Sequence, residues 1–247
     1  MSHPSGQLAD MVQGIWSVSL SASQNHHQSI EKTLFADGGS GIVFMLDGDA
    51  QVDGIRLPHG VIMLPVNTRA DRLLMRPGAV LAGIRFQPAM GYRLLARHYH
   101  QLTRLDEKDD QQWSLYSLHT ALQHGSNNQQ RIDHLYHWAN QHCLLSQPED
   151  SVEQLLLLIN NDSLLTELQN HIALSQRQLE RLFKTRLGMT AKNYQRIIRI
   201  RQAIAAIKAE PGRSLADIAL SSGFSDQAHM TREFKAIARV TPGKLSS

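Results

Sequence analysis

The chain has 247 residues, 42% of them apolar and 19% charged, with a formal net charge of +3. Its single cysteine, Cys143, excludes an internal disulfide framework and is expected to be a buried, inert thiol. No apolar run approaches the roughly 20 residues that span a bilayer, and residues 1–10 lack a basic-then-apolar export signal; a soluble cytoplasmic protein is expected.

Charge is unevenly distributed. From Ser163 onward there are 14 Lys and Arg against 6 Asp and Glu, whereas residues 1–149 hold 11 against 13. A basic segment behind a slightly acidic one points to a polyanionic partner for the basic part.

Residues 30–87 read as closely spaced strands broken by Gly, Pro and Asp-Gly: Gly41–Leu46, Ala50–Val52, Ile55–Leu57, Val61–Leu64, Asp71–Met75 and Val80–Phe86. Asp47-Gly48 and Asp53-Gly54 both predict tight hairpins, because Gly and Asp tolerate positive φ. Strands this short and regular predict a small antiparallel barrel or sandwich. Pro88 marks a change to helix. Helices are predicted over Ala89–His98, Asp109–Leu122 and Gln129–Cys143. In the last of these, Ile132, Leu135, Tyr136, Ala139 and Cys143 form one apolar stripe. Two readings of the stripe stand: packing on the chain's own barrel, and a dimer contact.

Residues 145–150 are polar, contain a Pro and read as a linker, followed by a Leu-rich helix over Val152–Asn160. The expected domains are 1–145, with a helical part from about 88, and 151–247.

The C-terminal part contains an internal repeat. Leu179, Arg181, Phe183 and Lys184 recur as Met230, Arg232, Phe234 and Lys235 at an offset of 51 residues. Upstream, Leu165, Leu168 and Leu174 match Leu215, Ile218 and Phe224 at an offset of 50, so one residue is inserted at the second turn. Two equivalent units are implied.

Each copy has the grammar of a helix-turn-helix. In the second, Ser214 caps a helix over Leu215–Ser221, Gly223 supplies the turn, Phe224 plugs the core, and Ser225 or Asp226 caps a helix running to about Ala238. Met230, Phe234 and Ile237 point inward, while Gln227, His229, Thr231, Arg232 and Lys235 point outward. In the first copy Leu164–His171 is the leading helix, Ala173-Leu174 the turn and Ser175 the cap. Leu179, Leu182 and Phe183 point inward; Gln176, Arg177, Gln178, Glu180, Arg181 and Lys184 point outward.

Such a second helix lies in the major groove with its N-terminal residues at base edges. Arg pairs twice with guanine, Gln with adenine, Glu accepts from cytosine, and Lys neutralises phosphate. Met189–Glu210, which lacks Gly and Pro, predicts a connecting helix capped by Thr190. Some 20 residues at about 1.5 Å each span roughly 30 Å, close to the ~34 Å between successive major grooves on one face. Arg196, Arg199 and Arg201 on this helix are either phosphate contacts or a solvated face.

The stretch Gly223-Phe224-Ser225-Asp226-Gln227-Ala228-His229-Met230-Thr231-Arg232-Glu233-Phe234-Lys235, followed by Val240-Thr241-Pro242, resembles the signature of the AraC/XylS family over about residues 151–247. The resemblance implies base contacts from Arg177, Glu180 and Arg181 in the first unit. In the second it implies contacts from Gln227, Ala228, His229, Thr231 and Arg232; Asp226 and Lys235 are expected on the same DNA-binding surface. The chain departs from the family's habits at Gln169, Ala173, Ala191, Arg239 and Leu245. The resemblance also implies a cupin-like N-terminal barrel that senses a small molecule, dimerises, or both. The expected class is therefore α+β, and the expected function is a sequence-specific, ligand-responsive, homodimeric transcription regulator rather than an enzyme. RNA polymerase is a further candidate partner.

An alternative is a barrel that only dimerises or contacts a protein. No catalytic or cofactor site is expected. His26, His27 and His59 lack the paired His-x-His and Glu of a cupin metal site, and His134, His137 and His142 on one helix lack a companion carboxylate motif. If a ligand enters the barrel, alternation places Ile42, Phe44, Leu46, Ile62, Leu64, Ile84 and Phe86 on one side. Arg72, Arg76 and Arg85 are then either anion partners or ordinary surface arginines.

Overall fold

The structure is a computed structural model and describes residues 2–21, 28–143 and 175–245. The chain divides into two compact units, one from residues 1–33, 39–66 and 72–148, the other from residues 34–38, 67–71 and 149–247.

The first unit is built on an antiparallel sheet of β1 (Val12–Ser19), β3 (Gly41–Asp47), β6 (Gly60–Leu64), β8 (Val80–Phe86) and β9 (Thr103–Arg104) in the order β1-β8-β3-β6-β9. A second sheet contains β2 (Ile30–Leu34), β4 (Ala50–Val52), β5 (Ile55–Arg56) and β7 (Asp71–Met75) in the order β2-β7-β4-β5. β3 explains why a continuous apolar run was needed. Its residues 41–46 are all buried, because both of its faces are covered. Ile42, Phe44 and Leu46 join Val61, Met63, Ala82, Ile84 and Phe86 in a core shared with the helices. Val43 and Met45 join Ile62, Leu81, Ala50, Leu57 and Met75 in a core shared with the second sheet.

That division corrects the expected inward set. β6 runs antiparallel to β3 with Val43 opposite Ile62 and Gly41 opposite Leu64. Directly paired residues share a face, so Ile62 and Leu64 point away from Ile42, Phe44, Leu46, Ile84 and Phe86. Two further expectations change. Asp53-Gly54 is the predicted two-residue hairpin, with φ of 49° and 80° and Val52 opposite Ile55. Asp47-Gly48 is not a hairpin, because β3 pairs with β6 and β8 while β4 pairs with β5 and β7; it carries the chain from one sheet to the other. Among the described residues no strand joins the two sheets, so the barrel is not closed. The α+β class stands.

The helices of this unit are α1 (Gln7–Met11), α2 (Met90–Leu95), α3 (Leu115–His124) and α4 (Asn128–Cys143). α2 is shorter than predicted, bounded by Ala89 and Ala96 in the left-handed region with φ of 68° and 55°. The segment expected as helix from Asp109 begins instead as a 3-10 turn, Glu107–Asp109, and becomes α-helical only at Leu115. The α4 stripe is covered by the chain's own core: Leu135, Ala139 and Cys143 are buried in it and Ile132 and Tyr136 pack against it. Trp138, absent from the predicted stripe, is buried there too and donates from Nε1 to the Trp113 carbonyl at 2.6 Å. Burial pushes the Cys143 thiol up to about 12.

The second unit contains α5 (Gln176–Leu187), α6 (Ala191–Ala209), α7 (Leu215–Ser221) and α8 (Gln227–Glu233), the last continuing as a π-helical turn over Phe234–Ala238. The predicted helix to Ala238 thus widens in its last turn. Leu179, Phe183, Tyr194, Ile197, Ile204, Ile218, Phe224, Met230, Phe234 and Ile237 are buried. Arg239 holds a left-handed φ of 57° at the helix end, the position where the resemblance led to an expected Gly. The predicted helices over Val152–Asn160 and Leu164–His171, and the Ala173-Leu174 turn, lie outside the described residues.

Candidate nucleic-acid interface

α5 begins in a capping box. The Ser175 hydroxyl accepts from the Gln178 backbone N–H at 3.3 Å, and Gln178 Oε1 accepts from the Ser175 N–H at 2.8 Å. Gly188, at a φ of 72°, closes the other end. Leu179, Phe183 and Leu187 hold the buried face and Leu182 is half-buried. Gln176, Arg177, Gln178, Glu180, Arg181 and Lys184 are all exposed. They are not equivalent: Gln178 is committed to the cap, and Gln176 donates to Glu180 at 3.4 Å.

In the second copy Ser214 accepts from the Asp217 N–H at 3.1 Å and starts α7. Gly223 turns the chain with a φ of 75°, and the Phe224 N–H donates back to the Ala219 carbonyl at 3.0 Å. Of the two predicted caps for α8, Asp226 is the one used. Its carboxylate accepts from the His229 N–H at 2.6 Å, and that bond holds its carboxyl below the usual range. The His229 ring stands edge-on to Phe224 with centroids 5.5 Å apart and its Nδ1 lies 3.1 Å from the Ser225 hydroxyl. Thr231 donates to the Gln227 carbonyl at 2.8 Å. His229 and Thr231 are half-buried, whereas Asp226, Gln227, Ala228, Arg232 and Lys235 are exposed.

α6 joins the two copies. Thr190 caps it by accepting from the Asn193 N–H at 3.2 Å, as its position in the sequence predicts. Its 19 residues at about 1.5 Å each give roughly 28 Å of rigid rod. Phe183 of α5 meets Tyr194 of α6, with ring centroids 6.4 Å apart. Arg196 Nε donates to Glu233 Oε2 at 2.6 Å and its Nη2 to Glu233 Oε1 at 3.1 Å. The guanidinium holds the Glu233 carboxyl below its ordinary range. Arg199 donates to the Gly223 carbonyl at 3.2 Å and lies 5.8 Å over the Phe224 ring. Neither sequence reading of Arg196 and Arg199 anticipated this: both are turned onto the second helix-turn-helix. Glu233 lies 37 residues from Arg196, and no local pattern announces the pair.

The other candidates are dispersed. Arg76 pairs with Asp49 at 3.0 Å, Arg72 with Glu31 at 3.6 Å, and Arg85 donates to the Gly39 carbonyl at 2.9 Å. His59, His134 and His137 are exposed, and His142 stacks on Trp138 at 4.8 Å; His26 and His27 lie outside the described residues. Among the described residues no group of three His, Cys, Asp or Glu side chains is placed to hold a metal ion. No helix among them is long and apolar enough to cross a membrane.

Comparison with known proteins bears on the same segment. A helix-turn-helix domain family matches residues 168–247, and a domain of unknown function matches residues 1–107. The chain is 32% identical over 99 residues to the HTH-type transcriptional regulator ArgR of Pseudomonas aeruginosa, covering 39% of this chain and 30% of that protein. It is 38% identical over 78 residues to the probable transcription factor PqrA of Proteus vulgaris, covering 32% of this chain and 63% of that one. The chain thus spans less than two thirds of either relative. Among solved structures, ToxT of Vibrio cholerae O395 aligns over 94% of this chain and 95% of its own, at 12% identity and a TM-score of 0.48. The two capped helices and their connector thus lie within residues 168–247, the segment that matches the helix-turn-helix domain family, and the chain is similar over part of its length to transcription regulators.

Proposed function

We propose that this protein is a sequence-specific transcription regulator that lays α5 and α8 in adjacent major grooves of one DNA duplex. Residues 151–247 bind the DNA, and residues 1–145 form a homodimer and receive a small-molecule signal. The observation that carries the DNA reading is the pair of capped helices, α5 exposing Arg, Gln and Lys and α8 exposing Gln and Arg, on a connector whose length approaches the groove repeat. The base readers are Arg177, Glu180 and Arg181 in the first copy, and Gln227, Ala228, His229, Thr231 and Arg232 in the second. Gln176, Gln178, Lys184, Asp226 and Lys235 flank them on the same surfaces. Mapping occupancy of the intact protein across its genome tests this. Discrete sites sharing a two-part sequence are expected; binding without sequence preference contradicts it.

A second reading of the N-terminal unit, as a dimerisation or protein-contact module without an effector, is favoured by one observation. The apolar strand residues expected to line a ligand cavity are divided between two cores, with Ile42, Phe44, Ile62 and Phe86 each at 0% exposure. Such residues fill space that a ligand would need. Thermal melting against a panel of small carboxylates and apolar compounds separates the two. A saturable rise in Tm supports the sensor, and dimerisation with no ligand response supports the second reading.

A further inference from the structure

We infer that Arg196 and Arg199 fix the angle of the second recognition helix on the connector and thereby set the half-site spacing the protein accepts. This inference rests on the DNA-reading function proposed above.

The recognition element is held at both of its ends. Before α8, the Gly223 carbonyl accepts from Arg199 at 3.2 Å. At the last residue of α8, the Glu233 carboxylate accepts two hydrogen bonds from Arg196, at 2.6 and 3.1 Å. A single contact leaves a helix free to pivot; two contacts define its direction. The Arg196 contact is also a planar fork against a planar carboxylate, which fixes rotation as well as distance. Both side chains lie largely out of solvent, Arg196 at 31% and Glu233 at 18% exposure, so the guanidinium is committed to protein rather than to phosphate. The two arginines sit three residues apart on α6 and so share one face of it. Glu233 follows Arg232 directly, so a change in the clamp is transmitted to a base-reading position without passing through a loop.

The test is fluorescence anisotropy of the full chain on a duplex carrying the site it selects, and on duplexes with one base pair added or removed between the half-sites. One added pair rotates a half-site by about 34–36°, and the wild type is expected to lose about tenfold or more in affinity. Arg196→Gln and Glu233→Gln are expected to bind the original site more weakly yet lose less than about threefold on the insertion. Arg196→Lys keeps the charge without the fork and is expected to show the same relaxed spacing, so the result does not depend on folding of the Gln variants. Exchanging the partners, Arg196→Glu with Glu233→Arg, is expected to restore discrimination. The salt dependence of Arg196→Gln should match the wild type, whereas loss of a phosphate contact lowers the slope by about one. Wild-type spacing discrimination in all three single variants, or a lowered slope, overturns the inference. A wild type that selects a site but tolerates the insertion also overturns it. A wild type that selects no duplex instead rejects the DNA-binding function itself.

Discussion

The carboxylate of Asp226 accepts a hydrogen bond from the backbone N–H of His229 at 2.6 Å, and this bond closes the first turn of the second recognition helix. The bond depresses the Asp226 carboxyl below its ordinary value. A depressed carboxyl stabilises the fold above its unfolded pKa, about 3.9, and loses that contribution as pH falls through the lower folded value. Asn caps helices as well as Asp. Asp226→Asn should therefore melt with the wild type at pH 7 and be the more stable of the two below about pH 3.9. Circular dichroism melts across this range check it; parallel curves at all pH values contradict the assigned role.

Gly223 has a positive φ of 75°, and a Cβ there would lie 3.3 Å from Arg199 Cδ. Gly223→Ala is expected to cost about 1 kcal/mol or more in denaturant unfolding. Gly212 has a φ of 98° with nothing within 4 Å of an added Cβ, so Gly212→Ala meets only the backbone cost. A DNA-affinity loss in the first variant and none in the second would follow from the position of Gly223 at the turn; equal losses would not.

Arg232 is exposed on α8 among the positions proposed to read bases. Arg232→Ala is expected to weaken binding to the selected site by about 1–3 kcal/mol and to leave binding to random duplex nearly unchanged. Equal losses on both duplexes would make it a phosphate contact.

The fold was legible where side-chain period and turn chemistry agree. Ser175, Thr190 and Ser214 are each followed by an amphipathic run, and each is the cap the sequence predicts. The two-residue hairpin at Asp53-Gly54 was equally plain. What escaped was non-local. β1 was missed because Gln13, Gly14 and Ser17 interrupt its apolar residues, and its order comes from pairing with β8 some 70 residues downstream. Asp47-Gly48 has the same local chemistry as Asp53-Gly54, but β3 already has β6 and β8 on its two sides, so no edge is left for β4. The outward residues of α5 and α8 followed from period alone. Their further duties did not: Gln178 as half of a capping box, His229 packed on Phe224, and Glu233 held by Arg196 appear only once side chains are placed.

Cys143 is buried at 0% exposure, and burial raises its thiol to about 12. Thiolate is the reactive form. Iodoacetamide at pH 8 should leave the native protein unmodified over a period that fully alkylates the urea-unfolded chain, as read by intact mass. Rapid native alkylation would contradict the packing of α4.

α5 and α8 are proposed to read one duplex together. Hydroxyl-radical footprinting of the full chain on its selected site measures this directly. The prediction is two protected patches on the same face of the DNA, centred about one helical turn, roughly 10 base pairs, apart. A single patch, or uniform protection without sequence preference, would contradict it.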